Sequence, residues 1–534
     1  MAVSAVSEWD DAADVVVVGY GAAGVSAALE ARASGVQVLA LDRYNGGGAT
    51  ALSGGVVYAG GGTAVQAEAG VADTVDAMFD YLCMEVGDAV RPETLRRFCE
   101  QSPAMIEWLV GNGVPFEASL CPYKTSYPSN KHYLYYSGSE AAGQFRAVAP
   151  PAPRGHRAKG RGTSGKVLFG PLARSAAEKG IEFRPQTRVT GLITGTDGRV
   201  TGVQADTLRH APARVRRAFT RMAAISAKPG IYHPGLRRSL QRRLDHIEAK
   251  YVTTVRIQAR KAVILTAGGF IANKQMVKMH APAYRAGLPL GTAGDDGSGI
   301  GLGVAVGAAT DKMGNISAWR FIAPPSAFLS ALAVDAHGAR MVDESRYGAA
   351  LGDAMIKRHE SKGWLLIDAE LERQARTQLG EQTVWFQRMQ TEGLLRTGRT
   401  TAMSIEELAD QAGIEPAGLR ATVEAHNEAI AAGQPDPMGK HADFTRPIAT
   451  APFSLLDISV KPSLTFPTPM LTLGGLVVDE ATGIVQSADG ADIPGLYAAG
   501  RTAVGICSNS YVSGLSIADC IFAGRRAGAH SASG

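Results

Sequence analysis

The stretch "DVVVVGYGAAGVSAALEARASGVQVLALDR", residues 14–43, decides the fold. Asp14–Val18 is an apolar run of strand length. Gly19, Gly21 and Gly24 follow in the spacing G-x-G-x-x-G. An Ala-rich run from Ala22 to about Ser34 predicts a helix, which Gly35 ends. Val36–Leu41 is a second apolar run, closed by Asp42. Strand, glycine turn, helix, strand and acid in this order predict a nucleotide-binding βαβ unit in an α/β protein. Gly19 allows the sharp turn, Gly21 lets backbone approach a pyrophosphate, and Gly24 lets helix and strand pack closely. The helix entrance at Ala22 and Ala23 offers free N–H groups and partial positive charge to phosphates. Asp42 is placed to accept hydrogen bonds from an adenosine ribose.

Residues 46–62, "GGGATALSGGVVYAGGG", narrow the nucleotide. Gly48, Ala49, Gly54 and Gly55 let backbone pass close to a ligand, and Thr50 and Ser53 add hydroxyls. Such a loop directly after the ribose-binding strand suits a flavin better than a nicotinamide. The competing reading is a flexible surface loop.

The 534 residues, 45% apolar, exceed one simple core, so two domains are expected. A net charge of +4 argues against a nucleic-acid binder. Cys83, Cys99, Cys121, Cys507 and Cys520 form no C-x-x-C pair, so no metal site is expected, and they read as reduced cytoplasmic thiols. "MAVSAVSEWDDAAD" has no basic or apolar export pattern. Val15–Leu29 falls short of the roughly 20 apolar residues of a membrane span.

Residues 64–118 read as amphipathic helices. Residues 120–160 are irregular and aromatic; Tyr133, Tyr135 and Tyr136 there either line a cavity or pack, packing being the simpler reading. "LFGPLARSAAEKG" reads as helix, "IEFRPQTRVTGLIT" as strand and "GRVTGVQA" as its hairpin partner, turned at Gly198. "RKAVILTAGGF" (260–270) is a buried strand able to rejoin the nucleotide sheet. Between these strands, Leu208–Lys250 carries eleven Lys and Arg against Asp245 and Glu248. This basic helical insert is open to two readings, contact with anionic membrane or a solvated helical excursion. Residues 288–450 form a separate compositional block. Its pair of helices at 404–433 starts with Ser404 and Glu407 in a capping-box spacing and breaks at Gly413.

"VGYGAAGVSAALEA", "VILTAGGF", "DDGSGIGLG", "ELADQAGIEPAGLRATVEAHNEA" and "GLYAAGR" together resemble the FAD-dependent fumarate reductase/succinate dehydrogenase flavoprotein superfamily. The resemblance covers nearly the whole chain apart from the basic insert. It implies a Rossmann-like split FAD-binding domain, 1–285 and 452–534, with an inserted α+β capping domain, 286–451. The active site would lie between them. The matching motifs add Arg43, Val189, Ala267, Gly268, Gly269, Asp296, Gly500 and Arg501 to the implied cofactor residues. They also add Gly514, Leu515, Ser516 and Ile517, at a helix entrance whose positive end would face the flavin.

Two departures narrow the chemistry. Tyr347, in "DESRYG", stands where fumarate reductases carry Arg. Met470 and Leu471, in "PTPMLTLGG", stand where they carry His. A dicarboxylate needs cationic clamps, so an uncharged apolar substrate is expected. No His stands in the "GGGATALSG" loop of covalently flavinylated members, so FAD should bind non-covalently. Within the superfamily the chain most resembles 3-ketosteroid dehydrogenases of the Δ4-(5α) type, whose Tyr-x-Ser pair matches Tyr511 and Ser513, with Tyr347 as second tyrosine. The resemblance implies proton removal from C4 and hydride transfer from C5 to FAD. Ser513 would accept the proton and Tyr347 relay it. Tyr511 would orient Ser513 or donate to the C3 carbonyl. The alternatives are Δ1-desaturation or enone reduction. The electron acceptor carries no signal in the sequence. On this reading the enzyme is cytoplasmic, with peripheral membrane contact open through residues 208–250.

Overall fold

The computed structural model describes residues 2–3, 8–463 and 465–533. The N-terminal stretch read for an export signal therefore lies partly outside the described residues.

The principal sheet has nine strands, seven of which are β1 (Asp11–Val18), β2 (Val38–Leu41), β3 (Glu182–Arg184), β4 (Thr187–Thr194), β5 (Val200–Thr207), β6 (Thr253–Leu265) and β7 (Asp492–Ala498), with Ala2–Val3 beside β4 and Ile484–Gln486 beside β7. Across the sheet the order is β4-β5-β6-β1-β2-β3, and β7 pairs with the far end of β6. β6, β1, β2, β3 and β7 run parallel, while β4, β5 and the first half of β6 form an antiparallel arm. Register is fixed by buried Val and Ile: Val15↔Val38 on one side of β1, Ile264↔Val17 on the other. A parallel sheet covered on both faces needs such continuous apolar strands.

Four helices complete the framework: α1 (Ala22–Ala33), α2 (Ala213–Ala227), α3 (Pro234–Tyr251) and α4 (Leu515–Ser533). α1 and α4 pack side by side at unusually short range. A Cβ on Gly524 would stand 2.4 Å from the carbonyl oxygen of Ala23, and one on Gly528 would stand 2.3 Å from that of Ala27. Gly24 plays the same part against the sheet, where a Cβ would fall 2.0 Å from the Gly19 oxygen.

The strand expected over "IEFRPQTRVTGLIT" is two strands. Pro185 has no amide to donate, and Gln186 sits in the left-handed region at φ 55°, so the chain turns between β3 and β4. The "irregular" 120–160 segment supplies Leu134–Tyr135 and Gly155–Arg157 to a three-stranded sheet with Val56–Tyr58. The Ser404 cap is one-sided: Ser404 Oγ accepts from the Glu407 amide, but Glu407 turns to the Met403 amide.

The second unit carries a four-stranded antiparallel sheet, in the order Leu332–Val334, Trp364–Ile367, Phe453–Asp457, Arg399–Ala402. Phe453–Asp457 lies just beyond the boundary expected at 451 and pairs within this sheet. A buried ionic network, Arg340 with Glu344 (2.6 Å) and Asp436 (2.6 Å) and Lys440 with Glu344 (2.7 Å), joins residues 340–344 to residues 436–440. No described helix is long and apolar enough to cross a membrane.

Gly528→Ala should lower the stability measured by urea unfolding by about 1–3 kcal/mol, because the added methyl meets backbone that cannot yield. Gly301→Ala, in open space on the helix Ser298–Val304, should be neutral or slightly stabilising. Equal effects at the two positions would refute the close-packing account.

Candidate active site

Three parallel strands end side by side and aim their following loops at one cavity: β1 into Gly19, β6 into Thr266–Gly268, β7 into Arg501. Ligands in open α/β sheets collect at such carboxyl ends. The cavity holds about 950 Å³, at the upper end of the ~300–1,000 Å³ usual for small-molecule sites.

Most sequence-predicted residues border it. They include Gly19, Gly21, Ala22, Ala23, Asp42, Arg43, Gly48, Ala49, Thr50, Ser53 and Gly54 from the N-terminal segment. Val189, Ala267, Gly268, Asp296, Arg501, Gly514, Ser516 and Ile517 join them, as do Tyr347, Tyr511 and Ser513. Gly24, Gly55, Gly269, Gly500 and Leu515 do not. A Cβ would stand 2.5 Å from the Ser164 carbonyl carbon at Gly55, 2.0 Å from Thr472 Oγ1 at Gly269 and 2.9 Å from Cys520 Sγ at Gly500. Each of these three glycines admits a close neighbour, and Leu515 is fully buried in the core.

The local chemistry fits a dinucleotide. A Cβ on Gly21 would meet nothing closer than Thr50 Oγ1, at 3.5 Å, and the Gly47 oxygen, at 4.0 Å, so backbone lies open to a ligand there. Thr50 Oγ1 accepts from the Ala22 amide (3.0 Å) and fixes the loop against the α1 entrance. Arg501 donates through Nη2 to Asp295 (2.5 Å), while its buried Nη1 has no partner among the described residues. A buried unmatched guanidinium donor suits a diphosphate. Asp42 differs from expectation in part. Its carboxylate already accepts the amides of Tyr20 (3.0 Å), Tyr44 (2.8 Å) and Gly46 (3.3 Å), so it shapes its own loop as well as facing the cavity. Arg43 is held by Glu248 (2.7 Å), Asp245 (3.1 Å) and Asp296 (3.3 Å).

At the other end, three phenols and a serine converge. The Ser513 hydroxyl lies 3.0 Å from that of Tyr135. Its backbone is pinned by Ser137: the Ser513 amide donates to the Ser137 carbonyl (3.2 Å), and Ser137 Oγ donates to the Ser513 carbonyl (3.1 Å). Tyr347, the residue preceding the helix Gly348–Arg358, also faces Ser513. Tyr511 stacks on Trp319 at 4.8 Å, and its ring lies 6.0 Å from that of Tyr347. Its hydroxyl is met by the Gly514 amide, which leaves its proton to be donated to a ligand. Burial raises all three phenols above the ordinary tyrosine value, so they stay neutral.

Tyr135 is the partner that sequence reading passed over as packing. Trp319, Phe321, Phe466, Phe386 and Leu471 add apolar wall. Arg320 also borders the cavity, but it is 1% exposed and donates to the carbonyls of Phe466 (3.1 Å) and Ser459 (3.0 Å) and to Thr468. These bonds brace the wall and occupy both terminal nitrogens, while Nε is buried with no partner among the described residues.

The chain matches the family described as "FAD binding domain" over residues 14–514. It is 37% identical over 498 residues to the 3-oxo-5-alpha-steroid 4-dehydrogenase of Comamonas testosteroni, covering 92% of this chain and 93% of that relative. Its fold superposes on the 3-ketosteroid-delta4-(5alpha)-dehydrogenase of Rhodococcus jostii RHA1, solved with 4-androstene-3,17-dione, with a TM-score of 0.80 and 31% identity over 99% of this chain and 98% of that one. The 3-ketosteroid delta1-dehydrogenase of Sterolibacterium denitrificans shares the fold at a TM-score of 0.65 and 19% identity, over 98% of this chain and all of that one. With the dinucleotide cradle at one end of the cavity and the hydroxyl cluster at the other, the chain belongs to the FAD-binding-domain family of flavoprotein oxidoreductases.

Proposed function

We propose that this protein is a 3-oxo-5α-steroid 4-dehydrogenase. One arrangement carries the reading: Ser513, Tyr511, Tyr347 and Tyr135 form a neutral hydroxyl cluster beside the aromatic wall of Trp319, Phe321 and Phe466. The relative at 37% identity has that activity by name. A ketone of a flat apolar molecule is recognised by donors, and Tyr511 is the phenol with a proton to spare. Its donation to the C3 carbonyl acidifies the C4 proton. Ser513 takes that proton at Oγ and gives up its own to a neighbouring phenol. Tyr135 holds the serine oxygen in place, and Tyr347 passes the proton outward. When bound, FAD supplies the acceptor for the hydride that leaves C5.

FAD is held non-covalently on this reading, since the 46–55 loop offers no His. We place the enzyme in the cytoplasm, where its five unpaired cysteines remain thiols.

Anaerobic 5α-androstane-3,17-dione should bleach the flavin and yield a C4–C5 double bond. A C1–C2 double bond, or turnover of fumarate with reduced dye in its place, would sink the assignment. Ser513→Ala should lower the rate of bleaching by about 10²–10⁴-fold with FAD content unchanged. Tyr135→Phe should lower that rate by roughly tenfold, the worth of one lost hydrogen bond, with little change in KM. Because burial favours the neutral phenols, the rate should show no tyrosine inflection below the ordinary value of 10. A limb near neutral pH that Tyr347→Phe abolishes would refute the neutral relay.

A further inference from the structure

The basic insert packs down onto the protein. α2 and α3 form a helical hairpin between β5 and β6. Its small core of Leu208, Phe219, Ala223 and Leu244 takes in one residue from elsewhere, Tyr44, whose ring lies 6.1 Å from that of Phe219 at an interplanar angle of 21°. Arg43, next to Asp42, is paired with both acids of the insert, Glu248 and Asp245. Gln186, in its left-handed conformation, donates to the Arg216 carbonyl (3.0 Å) and to Thr220 Oγ1 (2.8 Å). On the opposite rim, Arg237 donates to the Gly291 carbonyl (3.2 Å) and Lys228 to Thr163 Oγ1 (3.1 Å).

The hairpin thus spans from the loop after β2 to the loop at Gly291. Its inner face borders the same cavity as Gly19 and Asp42, through Ala223, Ser226, Ala227, Gln241 and Leu244. Small side chains let a flat ligand lie close. Ser226 Oγ is buried with no partner among the described residues. Of the insert's basic residues only Lys228 borders the cavity, and it is held by Thr163.

We propose that this hairpin is a clasp over the adenosine half of FAD, with Gln241 and Leu244 in contact and the Arg43–Glu248 pair as its catch. The proposal rests on the FAD-binding family and not on the steroid reading. Thr207 and Thr253 are cross-strand partners, so residues 208–252 can be replaced by Asn-Gly, a two-residue turn suited to joining paired strands. A milder variant, Phe219→Ala with Glu248→Gln, keeps the chain length and removes the stack and the catch. Apoprotein of each is titrated with FAD and, separately, with FMN, which lacks the adenosine. The clasp predicts a rise of about tenfold or more in the Kd for FAD, faster FAD release on dilution, and an unchanged Kd for FMN. Unchanged FAD affinity in both variants would overturn it, as would equal losses for FAD and FMN. Unchanged FAD affinity with lost binding to phosphatidylglycerol vesicles would assign the hairpin to a lipid surface and overturn it too.

Discussion

The whole site hangs on how closely α1 and α4 approach. Glycines 24, 524 and 528 remove the methyl groups that would otherwise hold helix from helix and helix from sheet. Carbonyl oxygens of α1 then lie where a side chain would stand. One end of α1 meets the turn at Gly21, and one end of α4 meets the turn at Gly514, so both positive helix ends reach the same cavity. Residues 511–514 precede α4 directly. Their position over the cavity follows from the helix contact as much as from their own hydrogen bonds.

Within that frame the chemistry depends on keeping charge out of one end. Several of the charged groups that border the cavity are paired: Arg501 with Asp295, Arg43 with Glu248, Arg320 with backbone carbonyls. The cluster around Ser513 is left with hydroxyls and rings. Desolvation there favours neutral phenols, which donate well and hold a proton loosely only in concert. A carboxylate at Tyr347 or a guanidinium at Leu471 would alter the preferred ligand more than any change in shape.

The sequence made the nucleotide end legible because its signal is local. Strand, glycines, helix and acid fall within residues 14–43, and each reports its neighbour. Tyr511 and Ser513 stand out locally at a helix entrance, but the role read for them rests on the resemblance to 3-ketosteroid dehydrogenases. Tyr135 was not legible, since its only mark is an aromatic residue in an irregular stretch 378 positions from the serine it touches. Gly55, Gly269 and Gly500 also stand where a Cβ would meet the Ser164 backbone, Thr472 and Cys520, close approaches that spacing does not show. Asp42 was placed correctly at its strand end, but its three amide partners depend on a loop conformation no pattern encodes. The insert's charge was evident, its placement was not: Arg43, Tyr44 and Gln186, which dock it, lie outside it and look ordinary.

The seat of that hairpin has a consequence for how the chain assembles. Its two ends leave the sheet at paired residues, Thr207 and Thr253, so the points joined are neighbours whatever lies between. The entropy of closing a loop grows only with the logarithm of its length, about 0.6 kcal/mol per doubling. Some forty residues can therefore be inserted at this turn, or lost from it, at little cost to the sheet beneath. Lengthening here is a route by which one flavoprotein lineage can acquire a separate helical unit while its strand order and its redox centre stay as they were.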